Sequence, residues 1–241
     1  MTRTAPATEI CRARLFKDLG IAQDVRLGVG VDRLDYTKGI AQKFLAIERL
    51  LENTPDLRGK FVFLQIAEPS RDSLRAYQEA RRQALCMRDR VNGRFSRDGV
   101  EPIRLLEAHH DADAVYGCYC AADLCYVGSL RDGMNLVAKE FVSARSDGRG
   151  VLVLSRRAGA AQQLRDALLV EPDDAGAVAG ALGRALTMTA REQAARMRRL
   201  RAVVRSSSAQ WWADKMLADA RFVASRAPAA SAIPVDVKIP A

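Results

Sequence analysis

Short apolar runs alternate with longer segments of helical periodicity along most of this 241-residue chain, and no hairpin turn joins one apolar run to the next. Strands joined through helices pair in parallel, because a parallel crossover needs a dozen or more residues and packs back over the sheet. Strand candidates cover Val25 to Val31, Lys60 to Ala67, Ile103 to Leu106, Leu124 to Val127, Val151 to Leu154 and Leu168 to Val170. Phe61, Val62, Phe63, Leu64 and Ile66 follow almost without interruption, the pattern of a strand buried on both faces. Ile40 to Asn53 puts Phe44, Ile47, Leu50 and Leu51 on one helical face. Ser70 to Val91 reads as a long charged helix, Asp111 to Ala121 and Val137 to Ala144 as shorter ones, and two or three more follow from Asp174 to about Ala224. The expected fold is α/β, a doubly wound parallel sheet with helices on both faces over residues 25–224. A lead-in segment, 1–24, precedes it, and a flexible Ala-, Pro- and Ser-rich tail, 225–241, follows.

Apolar residues make up 49% of the chain, enough to fill a core of this size. No apolar run approaches the roughly 20 residues of a membrane span, and Met1 to Glu9 lack the apolar stretch of a secretory signal, so a cytoplasmic protein is expected. The five cysteines are odd in number and form no Cys-x-x-Cys pair, which points to neither a disulfide framework nor a zinc knuckle. Cys118, Cys120 and Cys125 read as small core residues. The net charge is +9, with arginines grouped at Arg81-Arg82, Arg156-Arg157 and Arg198-Arg199 with Arg201. Such charge suits phosphorylated ligands or solvated helix faces. Nucleic acid is set aside, because few aromatic residues interleave with the basic ones to stack bases and no RNA- or DNA-binding motif is visible.

In doubly wound sheets ligands bind beyond the carboxyl ends of the strands. Two loops in such positions carry unusual chemistry. Val31 to Gly39 follows a strand and opens a helix, so Arg33 and Lys38 project at the strand end and Gly39 turns the chain. An arginine fork with a compact ammonium suits a diphosphate. The competing reading is a surface loop in which Arg33 and Lys38 pair with Asp32 and Asp35. Ser129 to Glu140 also follows a strand and opens a helix. Asp132-Gly133 is a turn dipeptide and Asn135 a helix N-cap, which leaves the Leu136 and Val137 amides for an anion. Glu140 suits a ribose diol and Asp132 sugar hydroxyls, or else Glu140 stabilises its own helix start.

The strings Gly30-Val-Asp-Arg-Leu-Asp-Tyr-Thr-Lys-Gly39 and Leu130-Arg-Asp-Gly-Met-Asn-Leu-Val-Ala-Lys-Glu140, with Gln65-Ile-Ala and Ser70-Arg71, resemble the trehalose-6-phosphate synthase family. Gly150 to Ser155, Ala158 to Ala161 and Arg184 to Met188 extend the resemblance, which runs from about Arg26 to Trp211. It implies the Rossmann-like C-terminal half of a GT-B glycosyltransferase that moves glucose from UDP-glucose to glucose-6-phosphate with retention and without a metal or other cofactor. Arg33 and Lys38 would then be the catalytic cations on the diphosphate. Leu136, Val137, Ala138, Lys139 and Glu140 would hold UDP, with Glu140 on the ribose. Asp132, Gly133, Met134 and Asn135 would cradle the glucose, the His110 backbone would touch the uridine, and Arg71 would reach the acceptor phosphate.

Members of that family carry an N-terminal domain ahead of this region, whereas about 25 residues precede the first strand here. The expectation is that the acceptor-holding half is missing, either because the protein is truncated or split or because a separate chain supplies that half; a homo-oligomer is compatible. A glucosylglycerol-phosphate synthase-like transferase and a non-catalytic nucleotide-sugar-binding module or fragment stand as alternatives. No membrane or nucleic-acid partner is expected.

Overall fold

The six apolar segments form one parallel sheet, and the amphipathic segments between them become the helices that cover it. A computed structural model describes residues 8–70, 73–207 and 209–226. In chain order the elements are α1 (Thr8–Leu19), β1 (Arg26–Arg33), α2 (Ile40–Asn53), β2 (Phe61–Glu68), α3 (Arg75–Phe95), β3 (Ile103–Leu106), α4 (Ala112–Ala121), β4 (Leu124–Val127), α5 (Leu136–Ala144), β5 (Val151–Ser155), β6 (Leu168–Val170), α6 (Ala175–Thr187), α7 (Ala190–Ser206) and α8 (Ala209–Arg226).

The strand order is β3-β2-β1-β4-β5-β6. The chain winds outward from β1 to β3, returns to the centre, and winds outward the other way from β4. β1 pairs with β2 along its whole length, Arg26 opposite Phe61 through Arg33 opposite Glu68, and with β4 through Gly28 opposite Leu124 and Val29 opposite Cys125. The reversal lies between β1 and β4, so the loops after these two strands emerge side by side at the carboxyl edge.

Alternation along the strands divides the core into two layers. Val62, Leu64 and Ile66 face one layer with Phe16 of α1, Tyr119 of α4 and Phe141 of α5. Phe61 and Phe63 face the other with Phe44, Ile47 and Leu51 of α2 and Leu182 of α6. Each such side chain, once fully buried, contributes about 1.5–3 kcal/mol by transfer from water. Cys118, Cys120 and Cys125 are buried among them. Burial pushes the Cys118 thiol up to about 11 and the Cys120 thiol up to about 12, so both stay protonated and inert at neutral pH.

Three details differ from the sequence reading. The segment expected as a lead-in contains α1, whose Phe16 is fully buried. Arg12 docks it by donating to the Val25 carbonyl at 2.8 Å and the Ala121 carbonyl at 2.9 Å. α3 starts at Arg75, not Ser70, and ends at Phe95, because the buried stripe of Tyr77, Ala84 and Val91 continues to Phe95. α8 extends to Arg226, and the remainder of the expected tail, 227–241, lies outside the described residues. The chain divides into two compact units, 1–204 and 205–241, and the first contains the whole sheet. Among the described residues no helix is long and apolar enough to cross a membrane.

Candidate functional site

β1 delivers Arg33 to the carboxyl edge, and the following turn is built by Asp35. Its Oδ1 accepts from the Thr37 amide at 2.8 Å and caps a 3₁₀ turn, Tyr36–Lys38. Gly39 then adopts φ +63°. A side chain there would be strained in this left-handed conformation and would press on Leu130 and the Gly128 carbonyl at 3.0 and 3.1 Å. The loop after β4 closes on this turn directly: the Thr37 carbonyl accepts from the Leu130 amide at 2.8 Å and the Arg131 amide at 3.2 Å.

Side chains complete the junction. Lys38 Nζ lies 2.6 Å from Asp132 Oδ2, and both side chains are largely buried. The same oxygen accepts from Asn135 Nδ2 at 2.9 Å and Ser129 Oγ at 3.3 Å. Burial alone would raise the Asp132 carboxyl, but hydrogen bonds from Lys38 and Asn135 outweigh it and hold the group below the usual carboxylate range. Asn135 caps α5, its Oδ1 accepting from the Ala138 amide at 3.0 Å, with its own φ at +64°. The Leu136 and Val137 amides precede the first intrahelical bond of α5 and point out of the helix start.

The remaining predicted residues differ in exposure and in partners. Arg33 is 55% exposed and only 3.7 Å from Asp35, a loose pair that leaves the guanidinium at the rim. Met134 and Leu136 are exposed apolar residues where the loop enters α5. Gly133 is exposed, Val137 half-buried and Ala138 buried. Burial lowers the Lys139 ammonium. Glu140 Oε2 accepts from the Tyr119 hydroxyl at 3.2 Å, which orients its carboxylate over α4. His110 precedes α4, and its Nδ1 donates to the Ala108 carbonyl at 2.9 Å, so its hydrogen bond stays within its own loop. Arg71 lies outside the described residues. Among the described residues no group of three or more His, Cys, Asp or Glu is placed to hold a metal ion.

The reading in which Asp32 pairs with the loop cations is corrected. Asp32 points inward and meets Lys43 of α2 at 2.5 Å, both side chains buried. Gln65 of β2 donates to Asp32 at 3.0 Å, and Lys43 also reaches the Tyr126 carbonyl of β4 at 3.3 Å. This network sits directly beneath the two loops and escaped the sequence reading. Its signal was present: Lys43 stands one turn before Ile47, on the stripe otherwise filled by Phe44, Leu50 and Leu51.

The family model for glycosyltransferase family 20 matches residues 13–221. The chain belongs to glycosyltransferase family 20. Among similar family members, the trehalose-6-phosphate synthase of Salmonella paratyphi B is 43% identical over 199 residues, 82% of this chain and 42% of that protein. A solved structure described as trehalose-6-phosphate from E. coli bound with UDP-2-fluoro glucose superposes with a TM-score of 0.82 at 39% identity, covering 90% of this chain and 47% of that one. An α,α-trehalose-phosphate synthase (UDP-forming) from Burkholderia xenovorans in complex with glucose-6-phosphate superposes with a TM-score of 0.82 at 40% identity, covering 89% and 49%. The chain thus spans about half the length of the family members it matches.

Proposed function

We propose that this chain is the donor half of a retaining glucosyltransferase that moves glucose from UDP-glucose to glucose-6-phosphate, giving trehalose 6-phosphate and UDP. The observation that carries the reading is the convergence, at the β1–β4 reversal, of the Lys38 turn and the uncapped amides of α5 around Asp132. Arg33 at the rim, Lys38 and the helix-start amides would take the diphosphate and stabilise the charge that develops as UDP leaves, which is electrostatic catalysis by preorganised donors. Asp132 to Asn135 would receive the glucose hydroxyls, Glu140 the ribose, and the His110 backbone the uridine. The charge of the leaving group is met by these cations and amides, with no metal or other cofactor assigned to the step. Two of the solved relatives above bear the same ligand classes, a UDP-glucose analogue and glucose-6-phosphate. Arg71 would reach the acceptor phosphate, and the other acceptor contacts would come from a further domain on the same or a separate chain, with the whole acting in the cytoplasm.

Calorimetry with UDP tests the donor site on the chain as it stands. Hydrogen bonds to charged groups contribute about 1.5–3 kcal/mol, so Arg33→Ala and Lys38→Ala should each weaken UDP binding by about tenfold to about a hundredfold. Wild-type affinity in both variants would remove the diphosphate from these cations and end the proposal.

A further inference from the structure

A third segment, Arg157–Ala160 after β5, grips the loop that opens α5. The Asp132 amide donates to the Arg157 carbonyl at 3.3 Å, the Gly159 amide to the Asp132 carbonyl at 3.1 Å, and the Ala160 amide to the Met134 carbonyl at 2.8 Å. Asp132 and Ala158 form a parallel bridge. Ser155, fully buried, ties both segments: its hydroxyl donates to the Ser129 carbonyl at 2.7 Å and accepts from the Arg157 amide at 3.1 Å. The approach is so close at Gly159 that a Cβ would stand 1.9 Å from the Gly133 carbonyl oxygen and 3.4 Å from the Met134 Cα. Gly159 itself is not left-handed, so its glycine is required by proximity and not by its backbone angle.

We infer that Gly159, with Ser155 behind it, is a positioning residue for the donor site: it lets residues 157–160 fix the Asp132–Asn135 loop in the geometry that the Lys38 pair and the Asn135 cap require. The inference rests on the donor-site reading proposed above. The loop is short, contains Asn135 at a positive φ, and has exposed Gly133 and Met134 at its tip. Its hydrogen bonds on one flank go to Thr37 and on the other to residues 157–160, so it is held from both sides. Adding a methyl group at 159 moves the Gly133 carbonyl away, and with it the groups proposed to receive sugar and phosphate. Displacements of about 1 Å in a positioned group cost up to about a hundredfold in function.

Gly159→Ala and Ser155→Ala in the full chain test this by hydrogen exchange, thermal unfolding and calorimetry with UDP. The expected result is faster exchange confined to residues 157–160 and the segment they hold, residues 129–140, with cooperative unfolding, and UDP binding about tenfold weaker in Gly159→Ala and less so in Ser155→Ala. Unchanged exchange in that segment overturns the inference, and so does faster exchange spread over β1 and β2, which is the signature of a merely structural glycine. Wild-type UDP affinity in both variants also overturns it. Failure of the wild-type chain to bind UDP strikes the donor-half reading, and the exchange comparison then decides the role of Gly159 by itself. Should Gly159→Ala not fold, Ser155→Ala, which only deletes a hydroxyl, decides by the same readouts.

Discussion

Asp132 is held ionised by its neighbours, and this gives the site a pH signature. Its folded value lies below the ordinary 3.8, through hydrogen bonds that outweigh the opposing effect of burial. As pH falls, the unfolded chain takes up the proton first. The stabilisation is therefore complete above the unfolded value and disappears as pH drops through the lower folded value. Asp132→Asn should unfold at a lower temperature than the wild type at pH 7, and its midpoint should fall less steeply between about pH 5 and about pH 2. Parallel profiles would mean that the Lys38 contact contributes nothing to stability. The chemistry of this residue was legible in the sequence as a polar turn before a capped helix. Its partner was not, since Lys38 and Asp132 are 94 positions apart and nothing local says which cation an acid will find.

At the level of elements, the Lys43–Asp32 pair joins α2 to β1 and, through Gln65 and Tyr126, to β2 and β4. Removing one member of a buried pair leaves a charge without solvent or partner, at a cost of about 3–5 kcal/mol. Lys43→Met should lose about that much in urea unfolding, and Lys43→Met with Asp32→Asn should recover a good part, since the neutral amide still accepts from Gln65. A double variant no more stable than the single one would show that the pair itself is not what secures these elements. The elements were readable where the apolar period was unambiguous: α2, β3, β4 and β6 stand at the expected residues because Pro, Gly or a change of period bounds them. α1 was not readable, because Phe16 is the single buried side chain of a helix that otherwise shows polar or partly exposed residues. Its place depends on Arg12, whose acceptors are the Val25 and Ala121 carbonyls and the Asp123 carboxylate, all outside the helix.

For the molecule as a whole, the parallel sheet followed from connection lengths, but its strand order did not. No residue of β4 announces that it pairs with β1 and not with β3; the reversal is a property of the assembled sheet. The net charge of +9 acts at the same scale. A field of that sign should attract a nucleoside diphosphate, and salt should screen it. Raising the ionic strength from about 0.05 M to about 0.5 M is expected to weaken UDP binding several-fold in calorimetry. An affinity independent of salt would confine the interaction to short-range contacts. The β1–β4 junction has a further consequence for how the molecule comes into being. Leu27 and Asp123, which hydrogen-bond across it, are 96 positions apart, so a growing polypeptide that has emerged only as far as β3 carries one of the two loops without the other. The site they form together therefore takes shape only once β4 has been made and a costly long-range closure has brought it to β1, and occupancy of that site would report that these two strands have paired.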